Sequence, residues 1–336
     1  MKVKIIAEAG VNHNGDLNIA FQLIEAAKKC GADYIKFQTF KANQLSTNIA
    51  PKAEYQEKNT HQIESQLDML KKLELSDIDF QKLYLHCKKI GIGFLSSGFS
   101  PKDLEFLDNF KMDFIKIPSG EITNLLLLES VAKLGKKSKV ILSTGMSKLG
   151  EIEEAINVLT SGEINRNKIT LLHCTTEYPA PLDSVNLYAI NTLRNAFGCE
   201  VGYSDHTKGI SVAIAAVAMG ATIIEKHFTL NTNLEGPDHK ASLDIKEFGS
   251  MVASIRDITL SFGTPIKQLT SVEEKNIHVA RKSLVAIKNI SAGEIFTRDN
   301  LGCKRPGTGI SPMRYYDFLN ISSTKEYKPD QLIEEQ

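Results

Sequence analysis

Three observations in the sequence predict an α/β fold, a (β/α)8 barrel followed by a small β-rich domain. Eight short apolar or β-branched runs alternate with stretches of helical period over about 260 residues. Polar side chains gather where those runs end, which is the face on which such barrels build their sites. After Gly263 the alternation stops.

The strand-like runs are Val3 to Ala9, Tyr34 to Thr39, Ile92 to Ser96, Phe114 to Ile117, Val140 to Thr144, Thr170 to Cys174, Glu200 to Tyr203 and Thr222 to Lys226. Helical period is read over Asn18 to Cys30, Asp79 to Ile90, Leu125 to Leu134, Glu151 to Leu159, Leu187 to Ala196, Ser211 to Met219 and Ile245 to Phe262. Several of these end at glycine (Gly31, Gly91, Gly135, Gly220), where a left-handed cap is expected. A doubly wound open sheet is the rival architecture. It would bring a G-x-G-x-x-G turn after its first strand, and the run there is Gly-Val-Asn-His-Asn-Gly. The segment from Lys41 to Gln62 lacks periodicity and is long for a βα connection, so it reads as a functional loop over the site.

The boundaries read as a barrel over 1–265, a linker over 266–280 and the small domain over 281–336, with strand-like pieces at Ser283 to Ile287 and Ile295 to Thr297. At 336 residues, 42% hydrophobic and 24% charged, the chain can fill a large core and is not a disordered one. Forty basic residues balance forty acidic ones, so no global field draws it to nucleic acid or an anionic membrane. No apolar run is long enough to span a bilayer, and Glu8 interrupts any signal-peptide core, so a cytoplasmic location is expected. Cys30, Cys87, Cys174, Cys199 and Cys303 are odd in number and scattered, which fits neither a disulfide framework nor a thiolate zinc site.

Lys36 sits between Ile35 and Phe37, and Lys116 between Ile115 and Ile117, so strand alternation puts both amines on the face opposite their apolar neighbours. An ammonium inside a barrel requires an anion. With the hydroxyls of Ser97, Ser119 and Ser143 the pair reads as a phosphate or carboxylate site; the competing reading is an internal network with Glu8 and Glu121. His206 and His227 end neighbouring strands, with Glu8, Asp205 and Asp238 available nearby. They are either hydrogen-bonded or catalytic histidines, or two nitrogens of a Mn²⁺, Fe²⁺, Co²⁺ or Zn²⁺ site.

The segments Glu8-Ala9-Gly10-Val11-Asn12-His13-Asn14-Gly15, Lys36-Phe37-Gln38-Thr39-Phe40, Lys116-Ile117-Pro118-Ser119-Gly120-Glu121, Ser143-Thr144-Gly145-Met146, Tyr203-Ser204-Asp205-His206-Thr207, Glu225-Lys226-His227-Phe228-Thr229 and Gly236-Pro237-Asp238-His239 follow one another in register. Together they resemble the sialic acid synthase family, bacterial phosphoenolpyruvate-condensing enzymes that make N-acetylneuraminate, legionaminate and pseudaminate. Arg281 to Ala286 and Lys304 to Gly307 resemble the antifreeze-like (SAF) domain that follows the family's barrel.

The resemblance implies a TIM barrel that binds phosphoenolpyruvate through Lys36, Gln38, Ser97, Lys116, Ser119, Ser143, Thr176 and Ser204, although the family often has Thr and Asn where Ser97 and Thr176 stand. It implies a divalent metal, Mn²⁺ with Mg²⁺ or Co²⁺ as substitutes, on His206 and His227, and sugar contacts from Glu121, Tyr178, Asp238 and Arg305 of the partner subunit in a domain-swapped homodimer. Asn320-Ile321 replaces the Gly-Lys that commonly follows Leu319. The expected reaction joins C3 of phosphoenolpyruvate to the aldehyde carbon of an open-chain N-acylated mannosamine. Water then adds at C2 and phosphate leaves by C–O cleavage, with Glu8 as the acid/base and His206 and His227 beside it. N-acetylmannosamine, giving N-acetylneuraminate, is the first expectation. The alternative is 2,4-diacetamido-2,4,6-trideoxymannose, giving N,N'-diacetyllegionaminate, with pseudaminate synthesis or a non-catalytic sugar-binding role behind it. An aldolase acting on an aldose phosphate would need a second basic cluster, which the sequence lacks.

Overall fold

A computed structural model describes residues 2–60, 64–134 and 138–336. The chain divides into two compact units, Met1–Phe262 and Gly263–Gln336.

The first unit is a closed barrel of eight parallel strands in sequence order: β1 (Lys4–Gly10), β2 (Tyr34–Thr39), β3 (Gly93–Gly98), β4 (Phe114–Ile117), β5 (Lys139–Ser143), β6 (Ile169–Cys174), β7 (Glu200–Asp205) and β8 (Ile223–His227), with β8 pairing back onto β1. Each strand has two buried faces. On the outer face of β1, Ile5, Ala7 and Ala9 pack under the helices; on the inner face, Ile6 joins Leu95, Phe114, Ile141, Leu172 and Ile223 in an apolar plug. The helices follow their local signals. Leu17–Lys29 is capped by the Asp16 carboxylate and buries Ala20, Leu23, Ile24 and Ala27, a three-to-four residue stripe. Asp77–Ile90 starts at a Ser76/Asp79 capping box and stops at Gly91, whose φ of 74° suits a residue without Cβ. The cap read at Gly135 lies outside the described residues.

The long connection after β2 is not featureless in its described part. It holds helices Ala42–Leu45 and Glu54–Thr60, and Gln66–Leu73 follows. The helix Glu54–Thr60 buries no residue, so it carries no apolar period for the sequence to show. Pro101–Asp108 is a further helix, marked by a Ser100 cap, Pro101 in its first turn and buried Leu104 and Leu107.

In the second unit, antiparallel strands β9 (Ser283–Ala286) and β10 (Leu301–Lys304) cover a core of Leu284, Ile290, Phe296, Leu301, Phe318, Tyr327 and Ile333. The stretch read as a linker contains helix Ser271–Ala280, opened by a Thr270/Glu273 capping box. Ile295 to Thr297, read as strand-like, forms an isolated bridge from Ile295 to Ser322 rather than a strand. No helix among the described residues is long and apolar enough to cross a membrane, and all five cysteines are free.

Candidate active site

One pleat above the apolar plug, the inward positions change character. Two residues on from Ile6, Leu95, Phe114, Ile141, Leu172 and Ile223 stand Glu8, Ser97, Lys116, Ser143, Cys174 and Glu225, and β2 and β7 add Lys36 and Ser204. This polar ring floors a cavity of about 190 Å³ that opens at the C-terminal ends of the strands. Of the sequence-predicted site residues, all but Glu121, Asp238 and Arg305 line it, together with Phe99, Pro118, Gly120 and Glu225.

Lys36 Nζ lies 2.7 Å from Glu8 Oε2 and 3.8 Å from Glu225 Oε2. Lys116 Nζ donates to Ser143 Oγ at 2.7 Å and the Ile117 carbonyl at 3.2 Å, with Glu225 Oε1 at 3.9 Å. Both readings of the lysines therefore coexist: they point into a cavity, and internal carboxylates balance them there. The internal partners are Glu8 and Glu225; Glu121 hydrogen-bonds with Asn124 instead. Burial pushes the Glu8 carboxyl up to about 7 against the pull of Lys36. Burial also pushes Glu225 up, but Lys116 and Lys36 outweigh it and hold this carboxyl below its ordinary value. Lys36 stays above its ordinary value because Glu225 and Glu8 outweigh its burial, whereas burial and Lys36 pull Lys116 down.

Hydroxyls complete the cavity. Ser119 Oγ accepts from the Gly145 N–H at 3.0 Å and lies 3.1 Å from Cys174 Sγ, and the buried Thr176 Oγ1 has no hydrogen-bond partner. Gly145 must lack a side chain, since a Cβ there would sit 2.2 Å from Thr176 Oγ1. A floor of ammonium groups and hydroxyls over an apolar plug suits a small, strongly anionic ligand.

At the rim, His206 donates from Nδ1 to the Thr175 carbonyl at 2.6 Å, which leaves the lone pair on Nε2. The His227 ring centroid is 5.6 Å away, and its buried Nδ1 makes no hydrogen bond, with Asp238 Oδ2 at 3.8 Å. Burial lowers both imidazoles, so both are neutral at pH 7. His206 Nε2 lies 3.4 Å from Ser204 Oγ, and two neutral imidazoles that keep acceptor nitrogens fit a divalent ion that takes its other ligands from water or substrate. Among the described residues no group of three or more His, Cys, Asp or Glu could hold an ion. Behind the histidines, on the outer face, the adjoining residues Asp205 and Lys226 form a fully buried ion pair of 2.9 Å across β7 and β8.

Tyr178 stacks on His206 at 4.2 Å and on Tyr55 at 4.8 Å, which brings the helix Glu54–Thr60 to the mouth of the cavity. Asn59 Nδ2 donates to the Pro237 carbonyl at 2.6 Å, next to Asp238. Burial raises Asp238 to about 6, and a Cβ on Gly10 would meet Glu8, Gln38 and Asp238 together, so these three converge. Glu121 lies in the single turn Ser119–Glu121 after β4. Arg305 belongs to the second unit, where its Nε donates to the Ala280 carbonyl at 3.0 Å. Sequence reasoning placed Glu225 at a strand end without assigning it to the site; its inward phase, two residues before His227, was the available signal. Tyr55 carried none.

The chain is similar to known proteins along its length. The chain is 55% identical over 334 residues to the N,N'-diacetyllegionaminic acid synthase of Campylobacter jejuni, covering 99% of each chain. It is 45% identical over 310 residues to the protein of that name from Legionella pneumophila, covering 92% of this chain and 86% of the relative. The crystal structure of the N-acetylneuraminic acid (sialic acid) synthetase of Leptospira borgpetersenii in complex with citrate superposes with a TM-score of 0.72 at 34% identity, over 82% of this chain and 90% of that one. Residues 281–333 match the SAF domain and residues 23–267 match the NeuB family. With that match across the barrel and relatives along its whole length, the chain belongs to the NeuB family.

Proposed function

We propose that this chain is a phosphoenolpyruvate-dependent nonulosonate synthase whose acceptor is 2,4-diacetamido-2,4,6-trideoxymannose, giving N,N'-diacetyllegionaminate. The observation that carries the reaction class is the pair of buried lysines facing a hydroxyl-lined cavity. The choice of sugar rests on the relatives. Identity to two legionaminic acid synthases, at 55% and 45%, exceeds the 34% to the sialic acid synthetase, which reverses the order of the two acceptors expected from sequence alone.

In this reading Lys36 and Lys116, with Gln38, Ser97, Ser119, Ser143, Thr176 and Ser204, hold the phosphate and carboxylate of phosphoenolpyruvate. The apolar plug below keeps water away from the enol. Tyr178, Asp238 and Glu121 orient the open-chain sugar so that its aldehyde carbon meets C3. When bound between His206 and His227, a divalent ion, Mn²⁺ or in its place Mg²⁺ or Co²⁺, supplies Lewis-acid polarisation of the acceptor carbonyl. Glu8, with a carboxyl near 7, is poised to take a proton from the water that adds at C2 and to return one as phosphate departs. A swapped homodimer in which Arg305 of the partner subunit contacts the sugar is part of the proposal; it expects a dimer mass in sedimentation, and an Arg305→Ala variant with a raised acceptor KM.

The test is phosphate release from phosphoenolpyruvate with Mn²⁺ and with chelator, comparing the diacetamido sugar with N-acetylmannosamine. A kcat/KM about tenfold or more higher for the first supports the reading. Equal or reversed preference refutes the sugar assignment, and no release with either refutes the reaction class.

A further inference from the structure

The carboxylate of Glu225 occupies an unusual place in this cavity. β8 and β4 lie opposite each other in the eight-stranded barrel, so a contact between Glu225 and Lys116 crosses the barrel axis, where a bound anion would sit. Among the described residues Glu225 is the carboxylate that reaches both lysines, at 3.8 Å and 3.9 Å. These separations are ion-pair attractions without a hydrogen bond. Lys116 directs its hydrogens to Ser143 and the Ile117 carbonyl, Glu225 Oε1 accepts from Ser204 Oγ at 3.1 Å, and Glu225 Oε2 has no hydrogen-bond partner. Glu8 Oε2 likewise has no hydrogen-bond partner but stands about 1 Å closer to Lys36 Nζ, at 2.7 Å.

We propose that Glu225 is an internal competitor for phosphate, holding Lys36 and Lys116 between turnovers and hastening release of the inorganic phosphate product. The inference rests on the anion-site reading above and assigns this side chain a positioning role within it. A phosphate oxygen at hydrogen-bond distance displaces a carboxylate that stands about 1 Å further out. Once C–O cleavage has left free phosphate in the cavity, the same carboxylate repels it and reclaims both ammonium groups. Without such a group, two buried lysines would retain the product.

Calorimetric titration of the full chain with inorganic phosphate, at constant ionic strength, tests this. Glu225→Gln removes the charge and keeps the shape. It is expected to bind phosphate on the order of tenfold more tightly than the wild type, with product inhibition strengthened in parallel. Glu225→Asp, which restores the charge, is expected to return both values towards the wild type. A purely structural role would lower the melting temperature and weaken binding, not tighten it. Unchanged or weaker phosphate binding in a folded Glu225→Gln protein overturns the inference and leaves the anion site standing. Absence of phosphate binding in the wild type and in Glu225→Gln overturns the anion site itself, and this inference with it. If Glu225→Gln does not fold, a wild-type structure with phosphate bound decides: Glu225 withdrawn from both ammonium groups supports the inference, and contacts still near 3.8 Å overturn it.

Discussion

Lys226→Met breaks the ion pair behind the two histidines and is expected to cost about 3–5 kcal/mol of stability. The reason lies in the partners. Lys226 Nζ bonds the Thr207 carbonyl and sits 2.9 Å from Asp205 Oδ2, with both side chains fully buried. Asp205 Oδ1 accepts from the Thr207 amide and hydroxyl, but Oδ2 has no hydrogen bond and is balanced by the ammonium at 2.9 Å. Methionine fills the volume of the lysine stem and leaves a buried carboxylate without its cation. Asp205→Asn strands the ammonium instead and falls in the same range; burial already pulls Lys226 below its ordinary value, so its deprotonation caps the loss. The double variant strands neither charge and recovers most of the stability. Urea unfolding of the four proteins at pH 7 yields the coupling energy. A single-variant loss below about 1 kcal/mol, or losses that simply add in the double variant, refutes the argument. Because Asp205 and Lys226 adjoin His206 and His227, the single variants are also expected to lose activity more steeply than they lose fold.

On the proposed reading Lys116→Met removes one charged anchor, worth about 1.5–3 kcal/mol, so kcat/KM for phosphoenolpyruvate is expected to fall about ten- to a hundredfold with the acceptor KM unchanged, measured by steady-state kinetics. Tyr55→Ala takes away the ring stacked 4.8 Å from Tyr178 and should raise the acceptor KM about two- to tenfold while sparing phosphoenolpyruvate. His13 is buried and its imidazole is lowered from 6.5 to about 4 by burial. The unfolded chain therefore takes up a proton below pH 6.5 and the folded chain only below about 4, so this group costs stability on acidification through that window, about 3 kcal/mol in full. His13→Gln should lose less stability between pH 7 and 4 than the wild type; the comparison cancels the opposite slopes of Glu8 and Asp238, whose carboxyls are raised.

Strand phase was the strongest signal in the sequence. Lys36 and Lys116 flanked by apolar residues could face only the barrel interior, and they do. The helices with a buried stripe and a glycine stop were readable for the same reason. Contacts made without a period were not. Tyr55 reaches the cavity from a helix that buries nothing, and Asn12 bonds the Phe228 carbonyl and Ser242 from more than two hundred residues away. Glu225 shows the limit most clearly: alternation says that it points inward, but which carboxylate meets both lysines depends on how the strands stagger around the barrel. Ile295 to Thr297 failed in the opposite sense. Its β-branched ends suit a strand, but only one bridge partner reaches it.

The apolar plug explains why the ring above it must be self-balanced. Ile6, Leu95, Phe114, Ile141, Leu172 and Ile223 deny water access from below, so Lys36 and Lys116 cannot be solvated on that side and need anions placed by the fold. Glu8 and Glu225 stand as the internal counter-charges of the two lysines. On the proposed reading, a phosphoenolpyruvate anion entering the cavity would add negative charge that the ring cannot absorb unchanged. Either a carboxylate withdraws or one takes up a proton, and only withdrawal leaves both glutamates ionised. Glu225, held ionised by both lysines but hydrogen-bonded to neither, is the carboxylate that can withdraw, whereas Glu8, 2.7 Å from Lys36, stays in place and ionised for the proton transfer proposed at the water step.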